Sequence, residues 1–308
     1  MNIIGHKYIY LTFSGILVLG SILALAVWKL NVGIDFTGGS LMEVAFTQGT
    51  MLSVDNVKEV LAPLKLGDIT VQPVGNDDTN GPKGMILRFR DVDEQTHQNI
   101  LAALGGLKGP KETIERRFDT IGPTVGRELR TQSFIAIGLT ALGIVLYIGW
   151  AFRRVSKPVA SWKYGVVAVS AFIHDVTIPV GFFAFLGHFY GVAVDVLFIT
   201  ALLTVMGFSV HDTIVIFDRI RENLAKLKTS EPYEVTVNRS VNETISRSIN
   251  TSLTVLMVLL AVFFFGGETT RYFSLALIVG IIFGTYSSIF VASPLLVIWE
   301  HAQREKRK

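Results

Sequence analysis

The chain has 308 residues, 50% of them apolar and only 17% charged, with a mean hydropathy of +0.48, a profile that excludes an ordinary soluble globular protein. Cysteine is absent, so disulfide staples and thiolate metal sites are excluded as well. The net charge of +3 is unevenly spread: residues 31–132 hold 11 Lys and Arg against 14 Asp and Glu, a net −3 that leaves +6 for the remainder.

The first apolar run, Tyr8 to Trp28, is longer than a signal-peptide core and is followed by no small-residue cleavage site, so it reads as a retained membrane span. Five more runs follow, roughly Ser133 to Ala151, Ser161 to Leu186, Val194 to Phe217, Ser248 to Phe265 and Phe273 to Trp299. Each can cross a hydrocarbon core of about 30 Å as a helix. The connection after the second run carries Arg153, Arg154, Lys157 and Lys163, and the one after the fourth carries Arg219, Arg221, Lys226 and Lys228. The tail ends REKRK, whereas the links HFYGVA and GGETTR hold only Arg271. The positive-inside rule places both termini in the cytoplasm and the long segment after the first span outside.

That outer segment has its own periodicity. LMEVAFT alternates like a strand; SVDNVKEVLAPL offers Ser53 as a cap with apolar Val54, Val57, Leu61 and Leu64 at helical spacing. ITVQPV and MILRFR alternate on either side of the turn-rich GNDDTNGPKG, DEQTHQNILAAL fits a second helix, and TIERRFDTI a last strand. The order βαββαβ is that of a ferredoxin-like α+β domain. Before it, glycine-rich GIDFTGGS lacks the Lys-Ser/Thr ending of a phosphate loop and reads as a turn leading from the first span into the domain. The expected organisation is a first transmembrane helix in 1–30, the outer domain in 31–132, a five-helix transmembrane region in 133–300 and a basic cytoplasmic tail in 301–308.

Ionisable side chains inside the spans are the chemical signal. A charge near the middle of a membrane helix costs about 2.5 to 3.5 kcal/mol on insertion scales, so it faces a bundle interior or a wet cavity. In GFSVHDTIVIFDRIREN, with Asp218 and Arg219 at the interface, Asp212 lies about 10 Å deeper. Ser209, Asp212, Thr213 and Ile216 stand at i, i+3, i+4 and i+7, on one face. In the next span Arg247, Asn250, Thr251 and Thr254 make a second polar stripe, and the two stripes are expected to meet. An Asp facing an Arg between helices can act as a protonation switch; a static ion pair that fixes helix packing is the alternative. His211 beside the Asp can relay protons or bond to a backbone carbonyl, and His174 with Asp175, near Pro179, offers the same choice. A helix cap accounts for Asp195. The two His-Asp dipeptides invite a metal, but the spacing of the six histidines matches no zinc motif, and no serine sits in a nucleophile elbow.

GIDFTGGS, IGPTVGREL at Ile121–Leu129, HDV at His174–Val176, GFSVHDTIVIFDRIREN and RSINTSLT at Arg247–Thr254 occur in the order and spacing of one family. Across nearly its whole length the chain resembles the SecF family of protein-export membrane proteins, partner to SecD in the resistance-nodulation-division superfamily of proton-driven transporters. The resemblance implies six transmembrane helices forming half of such a transporter bundle, plus one periplasmic ferredoxin-like domain. It implies proton coupling at Asp212 and Arg247, with His211 standing where the family often has Asn. Ser209, Thr213, Asn250, Thr251, Thr254, His174 and Asp175 are the supporting polar groups. The implied setting is the bacterial inner membrane and its lipid, with SecD, the SecY translocon and preproteins in transit as partners, and a proton or sodium gradient in place of any cofactor. No enzymatic activity and no nucleic acid are implied. A scaffold that titrates nothing, and half of a free-standing exporter, are the rival functions.

Overall fold

The computed structural model describes residues 1–47, 53–74, 83–107, 112–152, 161–226 and 231–305. The expected turn at 75–84 falls almost wholly outside them, as do Arg153, Arg154, Lys157, Lys228 and the last three residues. Helix α1 runs Lys7–Trp28 and α2 is a single turn at Ile34–Thr37. Strands and helices then alternate as β1 Gly39–Thr47, α3 Val54–Leu61, β2 Thr70–Val74, β3 Lys83–Phe89, α4 Glu94–Gly105 and β4 Glu112–Ile121. Long helices follow: α5 Pro123–Ala151, α6 Ser161–Tyr190, α7 Val196–Lys226 and α8 Tyr233–Phe265. The last span is α9 Glu268–Ser287 and α10 Ser293–Glu305, joined by a π turn at Ser288–Ala292. Among the described residues six helical segments are long and apolar enough to cross a membrane.

Several helices outrun their apolar runs. Helix α8 has 33 residues, about 50 Å at the α-helical rise, well beyond a hydrocarbon core of about 30 Å. Apolarity marks the part of a helix that lipid surrounds, not where its hydrogen bonding ends. Polar turns such as RELRTQ before the second run and YEVTVNRSVNETISR before the fifth therefore continue the helix.

One compact unit comprises residues 31–134 and 189–196. Its sheet is antiparallel in the order β2-β3-β1-β4, the ferredoxin-like arrangement that the βαββαβ order predicts. Alternation puts Met42, Val44 and Phe46 of β1 and Leu87 and Phe89 of β3 in a core closed by Val57, Leu61, Ile100 and Leu104 of α3 and α4. The helices begin where their caps dictate: Ser53 Oγ accepts from the Asn56 N–H at 3.1 Å, and Asp93 accepts from the Thr96 N–H at 3.0 Å.

GIDFTGGS is the turn expected of it, for a backbone reason. Gly38 and Gly39 have φ of 74° and 126°, and a Cβ on Gly39 would lie 2.6 Å from the Phe89 carbonyl oxygen. The Asp35 of the same motif accepts the Val196 N–H at 2.9 Å, so it caps the start of α7, a role that sequence spacing did not reveal.

The second unit, residues 1–30, 135–188 and 197–308, is the helical bundle. One close crossing is α7 against α9. Gly280 and Gly284 form a small-xxx-small step; a Cβ on Gly280 would lie 2.2 Å from Val205 Cγ2 and one on Gly284 3.3 Å from Ser209 Cβ. At one end of the bundle α7 and α8 are laced by Arg219–Glu243 at 2.6 Å and Asn223–Glu243 at 2.8 Å. There Asn238 Oδ1 accepts the N–H groups of Ile3 and Ile4, and Lys7 pairs with Glu234 at 3.0 Å.

Two sets of glycine substitutions test this account in thermal melts of the purified chain in mild detergent. Gly39→Ala forces a side chain into a positive-φ position, costing roughly 1 to 2 kcal/mol before any clash, and Gly280→Leu overpacks the α7–α9 crossing by roughly 1 to 3 kcal/mol. Gly143→Ala on α5, where an added Cβ meets nothing within 4 Å, leaves the melt unchanged or raises it. Equal tolerance of all three changes contradicts the packing described.

Candidate functional site

The polar side chains of the bundle gather around α7. Ser209, Asp212, Thr213 and Ile216 share one face, as their spacing requires, and all four are buried. Asp212 is 3% exposed. The groups facing its carboxyl are Ser248 of α8 and Thr285 of α9, yet its Oδ2 has no hydrogen-bond partner among the described residues. Ser248 Oγ lacks one too. Ser252 and Thr285 bond each other across α8 and α9 at 2.5 Å, so those hydroxyls are engaged with one another.

The meeting of the two polar stripes does not occur within this chain. Arg247, Asn250, Thr251 and Thr254 are all exposed, and no ion pair links Arg247 to Asp212 among the described residues. Helix α8 turns a different row inward: Thr244, Ser248 and Ser252 stand at i, i+4 and i+8 and are buried. Short hydroxyl side chains let helices approach closely and return their hydrogen to the carbonyl one turn back, as Ser252 does to Ser248 at 2.9 Å. The longer Arg and Asn side chains occupy the open side of the same helix. His211 also faces outward.

A second carboxyl, Asp175 on α6, is wholly buried. His174 Nδ1 lies 2.7 Å from its Oδ1, Ser287 Oγ of the last span donates to Oδ2 at 2.7 Å, and Ser209 Oγ of α7 donates to Oδ2 as well. Next to it Thr213 and Ser288 hydroxyls bond at 2.9 Å. Sequence spacing singled out Ser209, Thr213, His174 and Asp175, and the fold brings these four together. It missed Ser248, Thr285, Ser287 and Ser288, because serine and threonine in a membrane helix most often bond their own backbone and carry no distinctive spacing. The adjacent pair Ser287-Ser288 just before Pro294 was the available signal.

Comparison with known proteins places this geometry. Residues 105–302 match the family described as protein export membrane protein SecD/SecF, C-terminal, and residues 24–50 match the SecD/SecF GG motif, which contains the positive-φ Gly38-Gly39 pair. The protein translocase subunit SecF of Thermobaculum terrenum is 42% identical over 98% of this chain and 94% of its own length. That of Anaerolinea thermophila is 38% identical over 98% of this chain and 95% of its own. Among solved structures, SecDF from Thermus thermophilus, described as translocon-associated, is 32% identical with a TM-score of 0.81. It matches 98% of this chain, which spans only 39% of that longer one. A super-membrane-facing form of SecDF gives a TM-score of 0.69 at 31% identity. Motifs, fold and full-length relatives agree, and the chain belongs to the SecD/SecF family of protein-export membrane proteins.

Proposed function

We propose that this chain is the SecF half of an auxiliary Sec translocase unit, which works with a SecD half and the SecY translocon to move preproteins outward at the expense of the proton-motive force. The observation that carries the reading is the arrangement around α7 and α8. A buried carboxyl oxygen has no partner among the described residues, while the neighbouring helix presents Arg247, Asn250, Thr251 and Thr254 on an open side. Such a stripe, running from the start of a membrane span into it, is costly against lipid. A second set of helices has to cover it, and the SecDF chains, of which this one matches about two fifths, contain a further portion that can.

In this reading the Asp212–Arg247 interplay is made at the seam between the halves. Proton arrival at Asp212 removes the charge that the guanidinium or its neighbours balance, and a bistable bundle shifts. The basic connections lie in the cytoplasm with both termini, in the bacterial inner membrane, and the ferredoxin-like domain lies outside, where it meets the emerging preprotein. We assign the chain no enzymatic step.

The absence of an Asp212–Arg247 contact within the chain favours a second reading, a scaffold that holds the other subunit without titrating anything. Export assays in cells depleted of the native protein separate the two. Asp212→Asn and Arg247→Met are expected to assemble with the SecD-type partner but to lose gradient-dependent export. Wild-type export by both variants would leave the scaffold.

A further inference from the structure

Asp175 is approached from three helices, yet its negative charge has little to balance it. Ser209 and Ser287 each give a hydroxyl proton to Oδ2, His174 stands against Oδ1, and that histidine is its one ion-pair neighbour among the described residues. His174 is itself 6% exposed, and its Nε2 has no hydrogen-bond partner among the described residues. A buried ring nitrogen left unpaired is costly, and a histidine held only for packing has no need of it.

The other titratable groups around the pair can be named. Tyr286 lies almost parallel to the His174 ring, centroids 6.4 Å apart, and gives its hydroxyl hydrogen to the Tyr10 carbonyl of α1 at 3.0 Å. On α7 the groups following Ser209 are outward-facing His211 and buried Asp212.

The backbone is opened at the same place. Pro179 lies inside α6 and has no N–H to give the carbonyl of Asp175, four residues earlier. Directly after Ser287 the last span widens into its π turn, Ser288–Ala292, where Pro294 likewise offers no N–H to Phe290. Such turns collect at functional positions.

We propose that His174 and Asp175 form a proton-binding site of their own, separate from Asp212, that takes up one proton from water at His174 Nε2. With Nδ1–H directed at Oδ1, the ring keeps a lone pair on Nε2. Adding a proton there converts a pair of net charge −1 into a neutral imidazolium–carboxylate pair and breaks none of the hydrogen bonds to Asp175. Returning it to water restores the first state. The hydroxyl protons of Ser209 and Ser287 point at Oδ2, which suits a carboxylate and opposes a metal cation among the same oxygens. Since Ser209 precedes Asp212 by three residues on α7, the two sites share one helix through which each can bias the other. The inference rests on the reading of the chain as half of a proton-driven bundle.

The test is a proton count on the complex of this chain with its SecD-type partner, purified in mild detergent and stepped from high to low pH beside an indicator dye. His174→Gln is expected to take up about one proton fewer per complex than wild type, and to displace one limb of the pH profile of gradient-driven export. Asp212→Asn removes a different proton, and the two losses add. His174→Gln with wild-type uptake and an unchanged pH profile overturns the proposal, as does uptake that appears only with sodium present. Asp175→Asn is the sterner variant; should it fail to assemble, His174→Gln and Ser287→Ala, the latter expected to shift the titration without removing it, decide the matter. Export retained by Asp212→Asn would refute the coupling reading while leaving the His174 count to stand or fall alone.

Discussion

A polar atom surrounded by hydrocarbon must find its partner within the protein, because lipid offers none. That constraint orders the helical part of this chain. It turns Ser209, Asp212 and Thr213 of α7 away from the outside, seats Asp175 among hydroxyls of two other helices, and draws α9 close enough that glycine is needed at 280 and 284. Among the described residues the constraint is left unmet at Ser14 Oγ, His174 Nε2, Asp212 Oδ2 and Ser248 Oγ, and two of these atoms belong to ionisable side chains. Where it is unmet on the outer side of α8, it calls for more helices than this chain has.

On the proposed proton-coupled reading, the energetics favour more than one proton. Moving a unit charge through about 100 mV is worth about 2.3 kcal/mol, whereas throwing a two-state equilibrium fully from one side to the other takes about 5.5 kcal/mol. One carboxylate neutralised by one proton falls short unless a pH difference adds to it. A second group raises the sum to about 4.6 kcal/mol, nearer that figure, and α7 meets both carboxyls, through Asp212 itself and through the Ser209 bond to Asp175. The ferredoxin-like domain obeys different physics: its core is ordinary apolar burial, and its particular demand is the Gly38-Gly39 turn.

Much of this was legible in the sequence. Apolar length located the six spans found among the described residues, period-two and helical spacing gave the βαββαβ order, and the placement of Ser53 as a cap was correct. Helix ends were not legible, because hydropathy reports lipid and α5 and α8 extend beyond it. The burial of Asp212 followed from its neighbours on one face. The partner of that face did not: periodicity identifies two polar rows on α8, the hydroxyl row at 244, 248 and 252 and the Arg247 row, and nothing in one helix says which row turns inward. Helix packing chose the shorter side chains. Asp35 capping α7 was hidden for another reason, since a contact across 161 residues leaves no local pattern.

The central claim is that in the assembled complex the Arg247 row lies against other helices and not against lipid. The chain has no cysteine, so a single cysteine at Thr251 carries a nitroxide label without ambiguity. Its collision rate with oxygen dissolved in the bilayer can be measured for the chain alone and for the chain assembled with its SecD-type partner. The account predicts ready collision in the isolated chain and strong protection on assembly. Equal oxygen access in both would place that row in lipid and contradict it.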